Sequence, residues 1–179
     1  FRRVLFRSPA FTSVGPVLPD IQAALGLPSA TAALLTGLPV VCVGLLSPLA
    51  PLLSRRLGLE GAIGAALVVL LAGLAGRVLD GFAALLAGTV LVGGAIASLN
   101  VLLPVLVKRD FADRAGRITG TYTATMSITA AAAAATTVPI GTATGLGWRG
   151  GLGAWALPVL FALVAWGPQV RARNSAAGL

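Results

Sequence analysis

The residues best placed to do chemistry here are amides and hydroxyls inside greasy runs. In "LLAGTVLVGGAIASLNVLLP", Thr89, Gly93, Ile96, Asn100 and Pro104 recur at steps of four, three, four and four, which puts them on one helical face. In "RITGTYTATMSIT", Thr119, Tyr122, Met126 and Thr129 do the same. An asparagine in hydrocarbon is costly unless it is paired or wet. Asn100 therefore either contacts a solute in a cavity or makes an interhelical hydrogen bond that glues two helices. Serine and threonine hydroxyls can turn back on their own helix, so Tyr122 weighs more than any one of them. Covalent chemistry has no equipment. There is no histidine, no phosphate loop and no nucleophile–base pair, and the one cysteine, Cys42, lies in an apolar run. A His/Cys metal site is excluded, no cofactor is expected, and the chain reads as a non-enzyme.

Lipid is the solvent that this composition calls for. Hydrophobic residues make up 57% and charged residues 10%, against about a quarter charged in soluble domains. A net charge of +8 could suggest nucleic acid, but the basic residues stand in short clusters between apolar runs and aromatics are scarce at 6%. That pattern orients membrane spans and does not build a phosphate-binding groove.

A helix needs about 20 apolar residues to cross a bilayer core. The runs are Pro9–Leu18, Ala30–Leu53, Gly61–Gly76, Phe82–Val107, Ile118–Ile140 and Gly150–Gly167, predicting one partial and five complete helices. No strand-like alternation supports a barrel. Phe1–Ser8, "FRRVLFRS", matches the translation of a sequencing-library adapter. It is expected to be an assembly scar that truncates the first helix. The expected organisation is a scar over 1–8, a six-helix transmembrane bundle over 9–170 and the start of a cytoplasmic loop over 171–179.

Charge then orients the bundle. Arg55 and Arg56; Lys108, Arg109, Arg114 and Arg117; and Arg171 and Arg173 flank alternate junctions, eight basic residues against Arg77 and Arg149 on the other side. The positive-inside rule puts the eight, and both chain ends of the intact protein, in the cytoplasm. "KRDFADRAGR" is then a cytoplasmic turn, with Asp110 and Asp113 expected to cap the fifth helix. Helices three and six carry no polar side chain besides tryptophan indoles and are expected to face lipid. Helices one, two, four and five hold Thr12, Ser13, Thr36, Asn100, Tyr122, Met126 and Thr129, the candidate cavity residues. "GRITG" and the run Ala130–Ala135 are expected to serve close helix packing.

From Pro9 to Val170 the chain resembles the N-terminal six-helix half of a major facilitator superfamily transporter, of the cyanate/nitroimidazole (CynX/NimT-like) type. The stretches that carry the resemblance are "PAFTSVGPVLPDIQAALGLPSATAALLTGLPVVCVGLLSPLAPLLSRRLG", "LNVLLPVLVKRDFADRAGRITGTYTATMS" and "GLGWRGGLGAWALP". The resemblance implies an all-α membrane protein with two inverted three-helix repeats here. It also implies a partner half of six helices absent from this sequence, and a site between the halves near midplane worked by alternating access. A loop between helices two and three, with Arg56 and Gly58, and a turn with Asp113 and Arg117 would take gating roles. Three features depart from the pattern. Arg55 stands where the loop normally carries an acid, Gly88 and Thr89 stand where helix four often has an arginine, and an alanine run replaces the glycine-rich motif of antiporters. The expected function is movement of a small solute, with an anion as one option, across a bacterial inner membrane, with no nucleic-acid partner. The rival is a six-helix membrane protein with a structural or interaction role.

Overall fold

The computed structural model describes residues 14–26, 28–79, 81–164 and 166. The readings made on 1–8, Thr12, Ser13 and 171–179 lie outside them. The elements are α1 (Val14–Leu25), α2 (Ser29–Leu46), α3 (Leu49–Val78), α4 (Phe82–Asp110), a 3-10 turn (Ala112–Arg114), α5 (Ala115–Thr144) and α6 (Gly147–Ala154), which continues past a turn at Trp155 as helix over 156–164. No strand occurs among the described residues. Four helices, Leu49–Val78, Phe82–Asp110, Ala112–Thr144 and Gly147–Val164, are long and apolar enough to cross a membrane, and Leu34–Leu46 is a shorter apolar helix. This is a multi-pass, all-α chain.

The expected turn at Arg55–Arg56 lies slightly further on. Ser47 and Pro48 keep right-handed helical dihedrals, so the path of α2 runs on into Leu49 and beyond. The helical backbone breaks at Gly58, with φ 71° and ψ 168°, a region open essentially to glycine alone. The arginines stay helical because they are good helix formers whose long stems let the guanidinium reach the interface.

The charged turn also differs from expectation. No carboxylate caps α5: its N-cap is Arg114 and makes no side-chain cap hydrogen bond. Asp110 ends α4 in the grip of Arg109, and Asp113 sits exposed in the 3-10 turn.

α4 is the centre of the bundle. Its main partner is α3, then α2, while α5 packs chiefly on α6. Glycines set the closest approaches. A Cβ added to Gly88 would lie 2.6 Å from the Gly73 carbonyl oxygen, and one on Gly93 would lie 2.6 Å from Cys42 Cβ. The α5–α6 hairpin uses the same device, since a Cβ on Gly151 would collide with the Thr137 carbonyl. Around these contacts Leu67, Leu70 and Leu74 of α3 pack against Val92, Leu99 and Leu102 of α4. By contrast Gly116 and Gly120 of "GRITG" have nothing within 4 Å, so the expected tight packing lies elsewhere among the described residues.

Burial does not follow the expected division into lipid-facing and interior helices. In the most apolar window of each helix, 56% of α4 and 44% of α3 is buried, but only 17% of the hydroxyl-rich span Ala112–Thr144. The physical reason is that the α5 hydroxyls need no neighbour. Thr121, Thr123, Thr125, Ser127 and Thr129 each donate to the carbonyl four residues back, at 2.8–3.2 Å.

Candidate functional site

Chain direction comes first, because it decides which residues share a depth. At one end, Arg109 Nη2, from the last turn of α4, donates to Glu60 Oε1 at 2.5 Å. The indole N–H of Trp166 donates to the Glu60 carbonyl at 3.1 Å. The junction at Gly58, the end of α4 and the described end of the last helix therefore meet, so the turns bearing Arg55–Arg56 and Lys108–Arg117 lie on one side, while Arg171 and Arg173 fall outside the described residues. At the other end the N-terminal parts of α2, α4 and α6 gather: Leu35, Leu85 and Trp148 pack with Val17, Ile21 and Leu152.

Within that frame Asn100 lies ten residues before Asp110, about 15 Å from the cation-rich end at 1.5 Å per residue. That is half of the ~30 Å hydrocarbon core. Ser98, Leu99, Leu102 and Leu103 are buried around it, whereas Asn100 is exposed. Its amide makes no hydrogen bond to a described residue, so nothing among those residues ties it to a neighbouring helix. The rest of its expected face does not join it. Thr89 is buried, donating to the Leu85 carbonyl at 2.8 Å and accepting from Arg77 Nε at 3.2 Å, and Gly93 is pressed on Cys42.

The second expected face holds better. Tyr122, Met126 and Thr129 are half-buried along the stripe that continues into buried Ala133 and Thr137, while Thr119 is exposed. Tyr122 and Met126 lie about 10 and 16 Å from the start of α5, so they bracket the depth of Asn100. Thr36 is exposed on α2 nearer the opposite end, and is not at that depth.

Of the four gating candidates, only Gly58 has a structural singularity. Arg56, Asp113 and Arg117 are exposed. Neither Arg55 nor Arg56 makes an ion pair with a described residue. A different ionic cluster ties the junctions together: Arg109 holds Glu60 and also Asp110, at 2.6 Å from Nε to Oδ1. The sequence reading missed Glu60 and Arg109 as a pair. The available signal was that Glu60 is the one acid between Asp20 and Asp80, set just past a glycine beside two arginines. It also missed Arg77, which is fully buried and reaches from α3 to Thr89 on α4. A guanidinium thus arrives from the neighbouring helix at the position where α4 itself has none.

Three curated proteins are similar to this chain. An uncharacterized transporter of Bacillus subtilis (strain 168), YycB, is 43% identical over 168 residues, 94% of this chain and 42% of the relative. A 2-nitroimidazole transporter of Escherichia coli (strain K12) is 43% identical over 166 residues, 93% of this chain and 42% of its own. The cyanate transport protein CynX of the same strain is 34% identical over 159 residues, 88% and 41% respectively. The chain thus spans about two-fifths of the length of these relatives. No family model matches the chain, and no solved structure matches it.

Proposed function

We propose that this chain, a relative of the CynX/NimT-like transporters over about nine-tenths of its own length, supplies the N-terminal six helices of a secondary or facilitative transporter. The transporter moves a small solute, cyanate-like or nitroimidazole-like, by alternating access. It sits in a bacterial inner membrane with the Arg55, Arg109 and Arg117 end in the cytoplasm, and it catalyses no covalent step. The single structural observation that supports this reading is Asn100: an exposed amide at mid-bilayer depth with no described partner. Such a group is costly against acyl chains but useful in a wet cavity closed by a second bundle. Tyr122, Met126 and Thr129 supply the opposing wall, and Thr36 the rim toward the other end. Thr12 and Ser13 belong to the same expectation.

The test uses the full-length protein in proteoliposomes and the flux of labelled cyanate and labelled 2-nitroimidazole. One of the two should cross faster than in protein-free vesicles. Asn100→Ala should then slow that flux about ten-fold, in keeping with loss of one hydrogen bond in a low-dielectric site. Unchanged flux in Asn100→Ala would remove Asn100 from the site. Flux of neither solute above background would reject the transport assignment in this solute class.

A further inference from the structure

The residues of the proposed cavity leave one concave feature unused. A groove of about 470 Å³ opens where the extension of α2 crosses the later part of α3 and α4. Leu49, Leu52 and Arg56 of the extension, Val69 of α3 and Gly94 and Ala95 of α4 are among its lining. Gly94 and Ala95 bring little side chain to it, while Leu49, Leu52 and Val69 remain exposed.

Three properties converge on one ligand. The groove's run from Leu46 to Arg56 covers ten residues of helical backbone, about 15 Å, a length comparable with an acyl chain that fills half of a ~30 Å hydrocarbon core. Its lining is almost wholly apolar; Ser98 turns its hydroxyl back onto the Gly94 carbonyl at 3.0 Å. At the headgroup end, Arg55 and Arg56 are exposed and carry no ion pair with a described residue, whereas nearby Arg109 is held by two carboxylates. A guanidinium binds phosphate through paired N–H donors, and a basic cluster at a membrane surface attracts anionic lipid.

We propose that this groove is a binding site for an anionic phospholipid of the leaflet at the arginine-bearing end, with one acyl chain lying between Leu52 and Val69 and the phosphate on Arg56 and Arg55. The site depends on the membrane placement of the chain and not on what it transports, so it stands or falls apart from the transport assignment.

Native mass spectrometry of the full-length protein, after incubation with phosphatidylglycerol and phosphatidylcholine of equal chain length, tests it. The wild type should retain phosphatidylglycerol in preference, and Arg56→Gln should weaken that preference about five-fold. The double variant Arg55→Gln/Arg56→Gln should abolish it. Ala65→Phe, which fills the groove but leaves both charges, should lower retention of both lipids. Equal retention of the two lipids by the wild type, or no change in the double variant, would overturn the assignment. So would glycerophosphate competing as well as the intact lipid, which would make the arginines a bare phosphate site. Cross-linking of Leu52→Cys between two copies in a Cys42→Ala background would give the groove to a second protomer and also overturn it. Both arginine variants alter exposed side chains, so they read binding rather than folding.

Discussion

The α3–α4 pair and α5 were built by opposite means. The pair is held by backbone against backbone, with Gly73 and Gly88 letting two helices touch and leucines filling the flanks. α5 carries the chain's richest set of hydroxyls, yet it is the least buried span, and its hydroxyls are spent on its own carbonyls. Polar content therefore does not mark where a membrane bundle packs. Packing follows the absence of side chains, because lipid tails are as apolar as leucine and offer helices no hydrophobic reason to associate.

The sharpest way to break this contrast is to add volume on each side of it. Gly88→Val drives a side chain into the Gly73 carbonyl and the Arg77 backbone, and neither can move without separating the helices. It should destabilise by about 3 kcal/mol, at the upper end of overpacking. Gly120→Val on open α5 should stay within about 1 kcal/mol, the helix-propensity scale. Thermal melts of the detergent-solubilised full-length protein, followed by size-exclusion, would compare the two. A similar loss in both would contradict the contrast.

Gly58→Ala is next in size. A Cβ meets nothing within 4 Å there, so any cost is purely one of dihedral strain at φ 71°, about 1–3 kcal/mol. The same melts should show it, and a neutral result would mean that the break can be made elsewhere. A smaller effect attends the ionic cluster. Arg109 is about a third exposed and keeps Asp110 as a partner, so solvent screening limits the loss in Glu60→Gln to about 1 kcal/mol. A double-mutant cycle with Arg109→Gln should find the two changes coupled, and strict additivity would show that the pair contributes nothing. Thr123→Val on α5 is the smallest, within about 0.5 kcal/mol, because its hydroxyl serves only the Thr119 carbonyl.

Most of the architecture was legible because hydrocarbon sets a length and charge sets a boundary. The described parts of the apolar runs are helical, four of the helices being long enough to cross a membrane where five were expected, and the two described cationic turns came together at one end through Glu60, Arg109 and Trp166. Boundaries resting on one residue's dihedrals were less legible. Arg55 and Arg56 look like a turn in composition, but only Gly58 can adopt the φ and ψ that make one. Helical periodicity placed Thr89, Gly93 and Asn100 on one face correctly in geometry. It could not foresee that α2 and α3 cover the upper part of that face and leave Asn100 bare, because a face belongs to one helix and its burial to several. Arg77 and Glu60 escaped for a related reason: each looks like a boundary charge until its partner, on another helix, is known.

The claim that matters most is that Asn100 and Tyr122 face water inside the membrane. Single cysteines at positions 100, 122 and 68, introduced one at a time into a Cys42→Ala full-length protein in native membranes, can be challenged with a membrane-impermeant maleimide. The cavity reading predicts that Asn100→Cys and Tyr122→Cys are modified and are protected by transported solute, while Val68→Cys on α3 stays unmodified in the acyl chains. Modification at 68 together with silence at 100 and 122 would contradict it.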